Sequence, residues 1–395
     1  MPIFSISSVA SVAAAAATQV RPPPPSIVGM TVANGGATAT NSGNFVTTGY
    51  NVTQLTNTNS QLAAGTATPS NPTTAVAATG SFSLIVSRTS TVYLLLVGAG
   101  GGGGCGTRAL AGLYACGGGG GGGQCLPRSV TLSPGTYSVN FTIGGAGRGA
   151  PTNVTNAGTT IAAGGYGCLG GDTTLTLNGV TYTAVGGAAG ARFNGTYETG
   201  TNTGISIKSG AYGGGCGGTF GSAKLYGSGG TVLLPDGITS QYSGGSNPNP
   251  TNLSIFPGAG GGGAGGNGGG GTGTNATGPT GTGGVGGDGV STNTFSGDYP
   301  GVSFTTEIFL CGGGGGASGS NTSSAASNSA GGAGGSGGGG HGANWTYSTV
   351  AAATQYTWAS GYGSGGGGGQ ESTVHGGYEG GSGSNGAIFI SFEAA

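Results

Sequence analysis

The strand Tyr93-Leu94-Leu95-Leu96-Val97 runs without a polar break into Gly98-Ala99 and then into five consecutive glycines, Gly100 to Gly104. An apolar strand needs a core to bury against, whereas a polyglycine run has no side chain with which to build one. Further dense runs occupy 117–123, 258–273, 312–316, 331–340 and 365–369. With 102 glycines in 395 residues, the chain must alternate segments that make a core with segments that only their backbones can order. That alternation suits a scaffold or an adhesive better than an enzyme.

Ordering a glycine costs about 0.5–1 kcal/mol more than ordering an alanine, so ordered runs need compensation on a large scale. Close-packed polyglycine-II-like segments supply it, because bare backbones approach near enough to hydrogen-bond to one another. At roughly 3.1 Å per residue, 258–273 would span about 50 Å in that form. Collagen is excluded, since the glycines keep no strict third-position period and only 16 prolines are present. Wholesale disorder fits poorly with 15 Tyr, 12 Phe and 34% hydrophobic residues. Eight Lys+Arg against nine Asp+Glu leave 4% charged residues and a net charge of -1, so no basic field exists for nucleic acid. No stretch approaches about 18 strongly apolar residues, so no membrane span is expected. Residues 1–18 are apolar but carry no Lys or Arg before Arg21, which argues against a secretory signal.

The texture divides the chain in two. Residues 1–78, with Arg21-Pro22-Pro23-Pro24-Pro25 and a long Thr/Asn/Ala/Ser-rich stretch, read as an extended N-terminal attachment arm. Residues 79–395 read as a glycine-rich β domain. Within it, 81–86 and 92–97 are strands joined by a turn or bulge, and Ser133-Pro134-Gly135 predicts a hairpin between 129–132 and 136–143. Asn178-Gly179 predicts a second hairpin between 173–177 and 180–185, and 386–392 is a closing strand. No amphipathic helix period is visible. The fold expected is mainly β, an antiparallel β-sandwich with polyglycine-II-like insertions and an extended arm.

The order of these blocks over 79–395 resembles the glycine-rich domain of phage tail fibres and related virion surface proteins. The most specific part is Leu132-Ser133-Pro134-Gly135-Thr136-Tyr137-Ser138-Val139, set between two glycine blocks. The resemblance implies an oligomeric virion protein at the host-facing end. Residues 1–78 lie outside it.

Candidate chemistry is sparse. GxGxxG patterns are frequent at this glycine content but open no helix, and neither Lys208 nor Lys224 follows a glycine as a P-loop needs. Residues 283–290 fit one calcium-binding nonapeptide without a second copy in register, and no metal or cofactor is expected. Glu371, His375 and Glu379 are spaced four apart, but Gly376-Gly377 makes a solvated loop the better reading than a helical catalytic face. The six cysteines contain no CxxC pair and lie far from His341 and His375, which excludes a zinc site of ordinary spacing. Cys105 and Cys116 flank 107–115, so a disulfide between them would staple that loop, and buried thiols are the other reading. A regular threonine ladder, as a flat ice-binding face would need, is not apparent.

The most suggestive cluster is aromatic. Trp345 and Tyr347 alternate on one stretch, Tyr356 and Trp358 on the next, and Tyr362 follows. Each pair points to one face of a strand, as an aromatic platform for a sugar or receptor would require. A hairpin packed on the core, or on a neighbouring subunit, is the competing and favoured reading. The expectation is thus a non-enzymatic virion structural protein, an oligomeric fibre or capsid-attached surface protein contributing to host attachment. It would assemble with itself, a trimer being one form, meet other virion proteins through 1–78, and contact a host surface glycan or receptor from the virion surface. The alternative is a secreted, extracellular, self-assembling glycine-rich filament or matrix protein.

Overall fold

A computed structural model describes residues 22–33, 50–58, 75–106, 108–109, 113–150, 167–191, 214–215, 244–245, 255–273, 280–292, 307–320, 330–344, 358–370 and 379–393. The strands in chain order are β1 (Ser26–Ala33), β2 (Tyr50–Thr56), β3 (Ala78–Val86), β4 (Ser90–Val97), β5 (Arg108–Ala109), β6 (Leu113–Ala115), β7 (Cys125–Leu132), β8 (Gly135–Ile143), β9 (Thr173–Leu177), β10 (Val180–Ala184), β11 (Ile255–Phe256), β12 (Thr272–Gly273), β13 (Thr280–Thr282), β14 (Val290–Ser291), β15 (Phe309–Leu310), β16 (Gly319–Ser320) and β17 (Ala387–Glu393). Nine of them form two antiparallel sheets, ordered β1-β3-β8-β9-β10 and β2-β17-β4-β7. Their facing sides share one core, including Leu55, Phe82, Leu84, Leu94, Leu96, Phe141, Leu175, Ile388 and Ile390. The molecule is therefore mainly β, built on a sandwich, with no α-helix among the described residues.

Two sequence expectations are corrected by the pairing. The strands flanking Pro134-Gly135 are where the turn signal puts them, yet they do not pair as a hairpin. β7 bonds to β4 in one sheet, while β8 lies between β3 and β9 in the other. The turn is an arch across the sandwich, and 87–89 makes a second arch between β3 and β4. Both arches let a strand and its successor send apolar side chains into the same core from opposite sides. Of the two predicted hairpins, Asn178-Gly179 makes a true two-residue one, with φ of 51° and 74° and Val180 opposite Leu177. The second correction concerns 1–78. Its segments 26–33 and 50–56 are not an arm: β1 pairs with β3 and β2 with β17. Ile27, Met30 and Val32 pack on the core and Leu55 is fully buried, which is enough apolar surface to hold both strands in place. The rest of the expected arm, 1–21, 34–49 and 59–74, lies outside the described residues.

From the strand ends the chain passes into a backbone lattice. Gly98, Gly101 and Gly104 donate their N–H groups to Gln124, Gly121 and Gly118; Ala99 and Gly102 donate to Gly171 and Cys168; Gly100 and Gly103 donate to Ser384 and Gly381. The partner changes at every residue and returns after three, the period of a polyproline-II helix. The carbonyls of the same run accept from Gly187 and Gly190, from Gly147 and Ala150, and from Gly366 and Gly369. One run thus touches six neighbours, three parallel and three antiparallel, through bonds of 2.7–3.0 Å. Residues 312–318 also have six neighbours, at 284–287, 117–120, 340–343, 332–335, 258–261 and 365–368, here two parallel (340–343 and 365–368) and four antiparallel. This close approach is what requires glycine. A Cβ on Gly102 would lie 1.9 Å from the Arg148 carbonyl oxygen, and one on Gly314 would lie 2.0 Å from that of Gly366. Where small apolar side chains are present they gather, as at Cys116, Ala317 and Ala343.

Candidate functional site

The sandwich and the lattice meet at a seam. Six runs join it directly: β4 leads into 98–104, 117–124 into β7, β8 into 144–150, 167–172 into β9, β10 into 185–191, and 379–386 into β17. At the seam the two hydrogen-bonding patterns do not match, and side-chain oxygens complete them. Gln124 Oε1 accepts from Val185 N–H at 3.1 Å, Asp172 Oδ1 from Gly186 N–H at 2.9 Å, and Asn385 Oδ1 from Ala146 N–H at 2.8 Å. These polar residues are first-order parts of the architecture, and sequence reading passed over all three. Their signal was their position, one or two residues from a strand end.

The opposite, distal ends of the runs carry small sheets, β5-β6-β11 and β12-β13-β16, and bridges between Cys105 and Gly369 and between Cys116 and Gln370. From this pole the chain continues into 151–166, 192–213 and 371–378. Asn344 lies here too, its Oδ1 accepting from Gly331 N–H, while the neighbouring Ala343 N–H donates to Gly368. The segment containing Trp345, Tyr347 and Tyr356 therefore leaves from the distal pole, but those three residues lie outside the described ones. Trp358 is 44% exposed. Tyr362 is in a different setting: its ring stands edge-on to Phe389 at 5.7 Å, and its hydroxyl accepts a hydrogen bond from Gln54 Nε2. Burial raises its pKa, an effect that the Gln54 bond reduces. Tyr362 is thus packed into the seam, not presented with Trp358.

Cys105 and Cys116, the candidate disulfide pair, are both buried. The two thiols donate to separate carbonyls, Cys105 Sγ to Gly106 at 3.2 Å and Cys116 Sγ to Ser318 at 3.0 Å. The nonapeptide-like 283–290 is lattice, and Asp288 Oδ1 accepts from Ser336 N–H at 3.0 Å. Among the described residues no cluster of His, Cys, Asp and Glu is disposed to hold a metal ion. Arg148 is buried in the lattice near Cys168 and Glu379. Burial lifts the Glu379 carboxyl above its ordinary value and Arg148 partly opposes the shift.

The structure also assembles a surface that the sequence hid. On the outer side of the five-stranded sheet, Thr31, Ser81, Asn140, Thr176 and Thr181 fall in one cross-strand row. Thr79, Thr142, Thr174 and Thr183 form the next. Hydroxyl contacts link the first row at 3.0 Å between Thr31 and Ser81 and at 2.9 Å between Thr176 and Thr181. The threonine ladder runs across the strands, so no linear reading displays it. It wets one face of the sandwich without charge.

No curated protein matches this chain. The model of the glycine-rich domain family matches residues 74–303, which takes in β3 to β14 and the glycine runs between them. The match stops short of β1, β2 and β17, which complete the sandwich. A sandwich whose strand ends feed a glycine lattice, matched by that model over more than half its length, places this chain in the glycine-rich domain family.

Proposed function

We propose that the chain is a non-enzymatic structural protein of a virion surface, a homo-oligomeric fibre or capsid-attached decoration that contributes to host attachment. The observation that carries the reading is the molecule's two-pole build. A sandwich at one pole is joined through a continuous hydrogen-bonded lattice to a distal pole from which 151–166, 192–213 and 371–378 depart. Such a body holds the connections at its distal pole at a fixed distance from an anchoring domain, the task of a fibre or decoration protein. The near absence of charge supports it further, because assembly then relies on backbone and hydroxyl contacts. In this reading the sandwich pole, into which part of 1–78 folds, meets the other virion proteins, and the aromatic stretch around Trp345 and Trp358 meets a host glycan or receptor.

Immunogold labelling with antibodies to the recombinant chain tests the assignment in material from its source. Label on particle surfaces is the expected result; label on extracellular filaments or matrix would replace the proposal with the secreted alternative. Given particles, Trp345→Ala with Trp358→Ala should lower host adsorption at least tenfold while particle yield is unchanged. Unaltered adsorption would remove the aromatic stretch from the attachment role.

A further inference from the structure

Cys125 opens β7 opposite Val97, at the end of the 117–123 run. Cys311 follows β15 and precedes the 312–316 run, 186 residues away in sequence, yet the two Sγ atoms are 3.1 Å apart. Nothing about this approach is loose. The Cys311 N–H donates to the Tyr362 carbonyl at 3.0 Å, and its own carbonyl accepts from Ala264 N–H at 2.9 Å. Its φ is 62°, a left-handed value that costs a residue with a Cβ on the order of 1 kcal/mol and that the adjoining glycines would adopt without strain. A side chain is kept where glycine would be easier, and it points at a second sulfur. Space is also reserved for it: a Cβ on Gly363 would lie 2.7 Å from both Cys311 Sγ and Val97 Cγ1.

We propose that Cys125 and Cys311 form a disulfide when the protein meets an oxidising environment, clamping the sandwich to the lattice at the seam. Closing the bond needs the sulfurs to approach by about 1 Å, to a separation of roughly 2.05 Å. A low-molecular-weight disulfide serves as oxidant. Cys125 is half-buried and Cys311 wholly buried, so Cys125 reacts first. Its thiolate attacks the small disulfide and releases one thiol; Cys311 then gives up its proton and attacks Cys125 Sγ, releasing the second. Two S–H bonds are lost, one protein S–S bond forms, and the oxidant leaves as two thiols. Burial, reinforced by the adjacent Cys125, holds the Cys311 thiol well above its ordinary pKa, consistent with its acting second. Because the bond closes a very long loop, it removes much conformational freedom from the unfolded chain. This inference does not depend on the proposed function.

The test uses the full chain, purified reduced, then exposed to glutathione disulfide, alkylated with iodoacetamide and digested with pepsin without reduction. Mass spectrometry should find the Cys125 peptide joined to the Cys311 peptide, lighter by two hydrogens than the separate thiol forms. Alkylation of both cysteines in the oxidised protein, or a dominant link between any other pair, overturns the proposal. Oxidation should also raise Tm by several degrees, a shift absent in C311S and in C125S. A cross-link that leaves Tm unchanged would remove the clamp.

Discussion

At the level of single residues, the glycines are not equivalent, although the sequence presents them as one class. Gly102→Ala would set a methyl group against the Arg148 backbone, with contacts of 1.9 and 2.2 Å that no rotamer can relieve. A cost of about 3 kcal/mol is expected, measured by denaturant unfolding. Gly135→Ala, whose nearest new contact is 3.6 Å from the Tyr137 ring, should cost under about 0.5 kcal/mol. The thiols are similarly individual. Burial raises Cys168 from 9.0 to about 11, a shift that the Arg148 backbone and guanidinium partly offset. The folded state therefore keeps that proton longer than the unfolded chain does. Its stabilising contribution is intact below about pH 9 and is lost as pH rises through about 11, at about 1.4 kcal/mol per pH unit. Buried Cys116 and Cys311 and half-buried Tyr362 act in the same direction. Tm should fall steeply over this window, and Cys168→Ala should make the fall shallower by one proton's worth.

At the level of elements, what could be read from the sequence depended on whether the signal was local. The Asn178-Gly179 hairpin is local in every respect, and strand and turn agree with the reading. The Pro134-Gly135 turn shows the limit: it fixes where β7 ends and β8 begins, but the choice between hairpin and arch lies with β4, β3 and β9, which bond to them. β17 explains another ambiguity. Ile388, Ile390 and Phe392 enter the sandwich core, while Ala387 and Phe389 point the other way into a second cluster with Val52, Leu95, Val97, Leu310 and Cys311. β4 is divided in the same manner, with Leu94 and Leu96 on one side and Leu95 and Val97 on the other. Hence 94–97 and 387–390 read as unbroken apolar runs. Phe389→Ala removes a fully buried ring from the second cluster and should cost about 3–5 kcal/mol, read as a lower urea midpoint. Tyr362, grouped in sequence with the candidate platform residues, is a seam residue in space.

At the level of the whole molecule, the lattice makes cooperativity unavoidable. The amides of 98–104 and 117–123 all bond to other segments, so neither run can open without leaving several neighbours unsatisfied. Amides of 98–104, 117–123 and 312–317 should exchange with deuterium only through global unfolding, whereas those at the edge strand β1 exchange sooner. Little of this rests on charge. The Arg88–Glu393 pair is exposed on the Glu393 side and 3.4 Å long, so unfolding should shift little across a wide range of salt. The sequence could announce that backbone contacts dominate, but not which run meets which, because glycines carry no mark of their partners.

The rotation of partners along each run has one more consequence, for how such a protein can change its size. Each run behaves like a reading frame. Deleting one residue from 98–104 would hand every later amide to the wrong neighbour, while deleting three would shorten the run and preserve every assignment. Lattice lengths can therefore drift only in triplets.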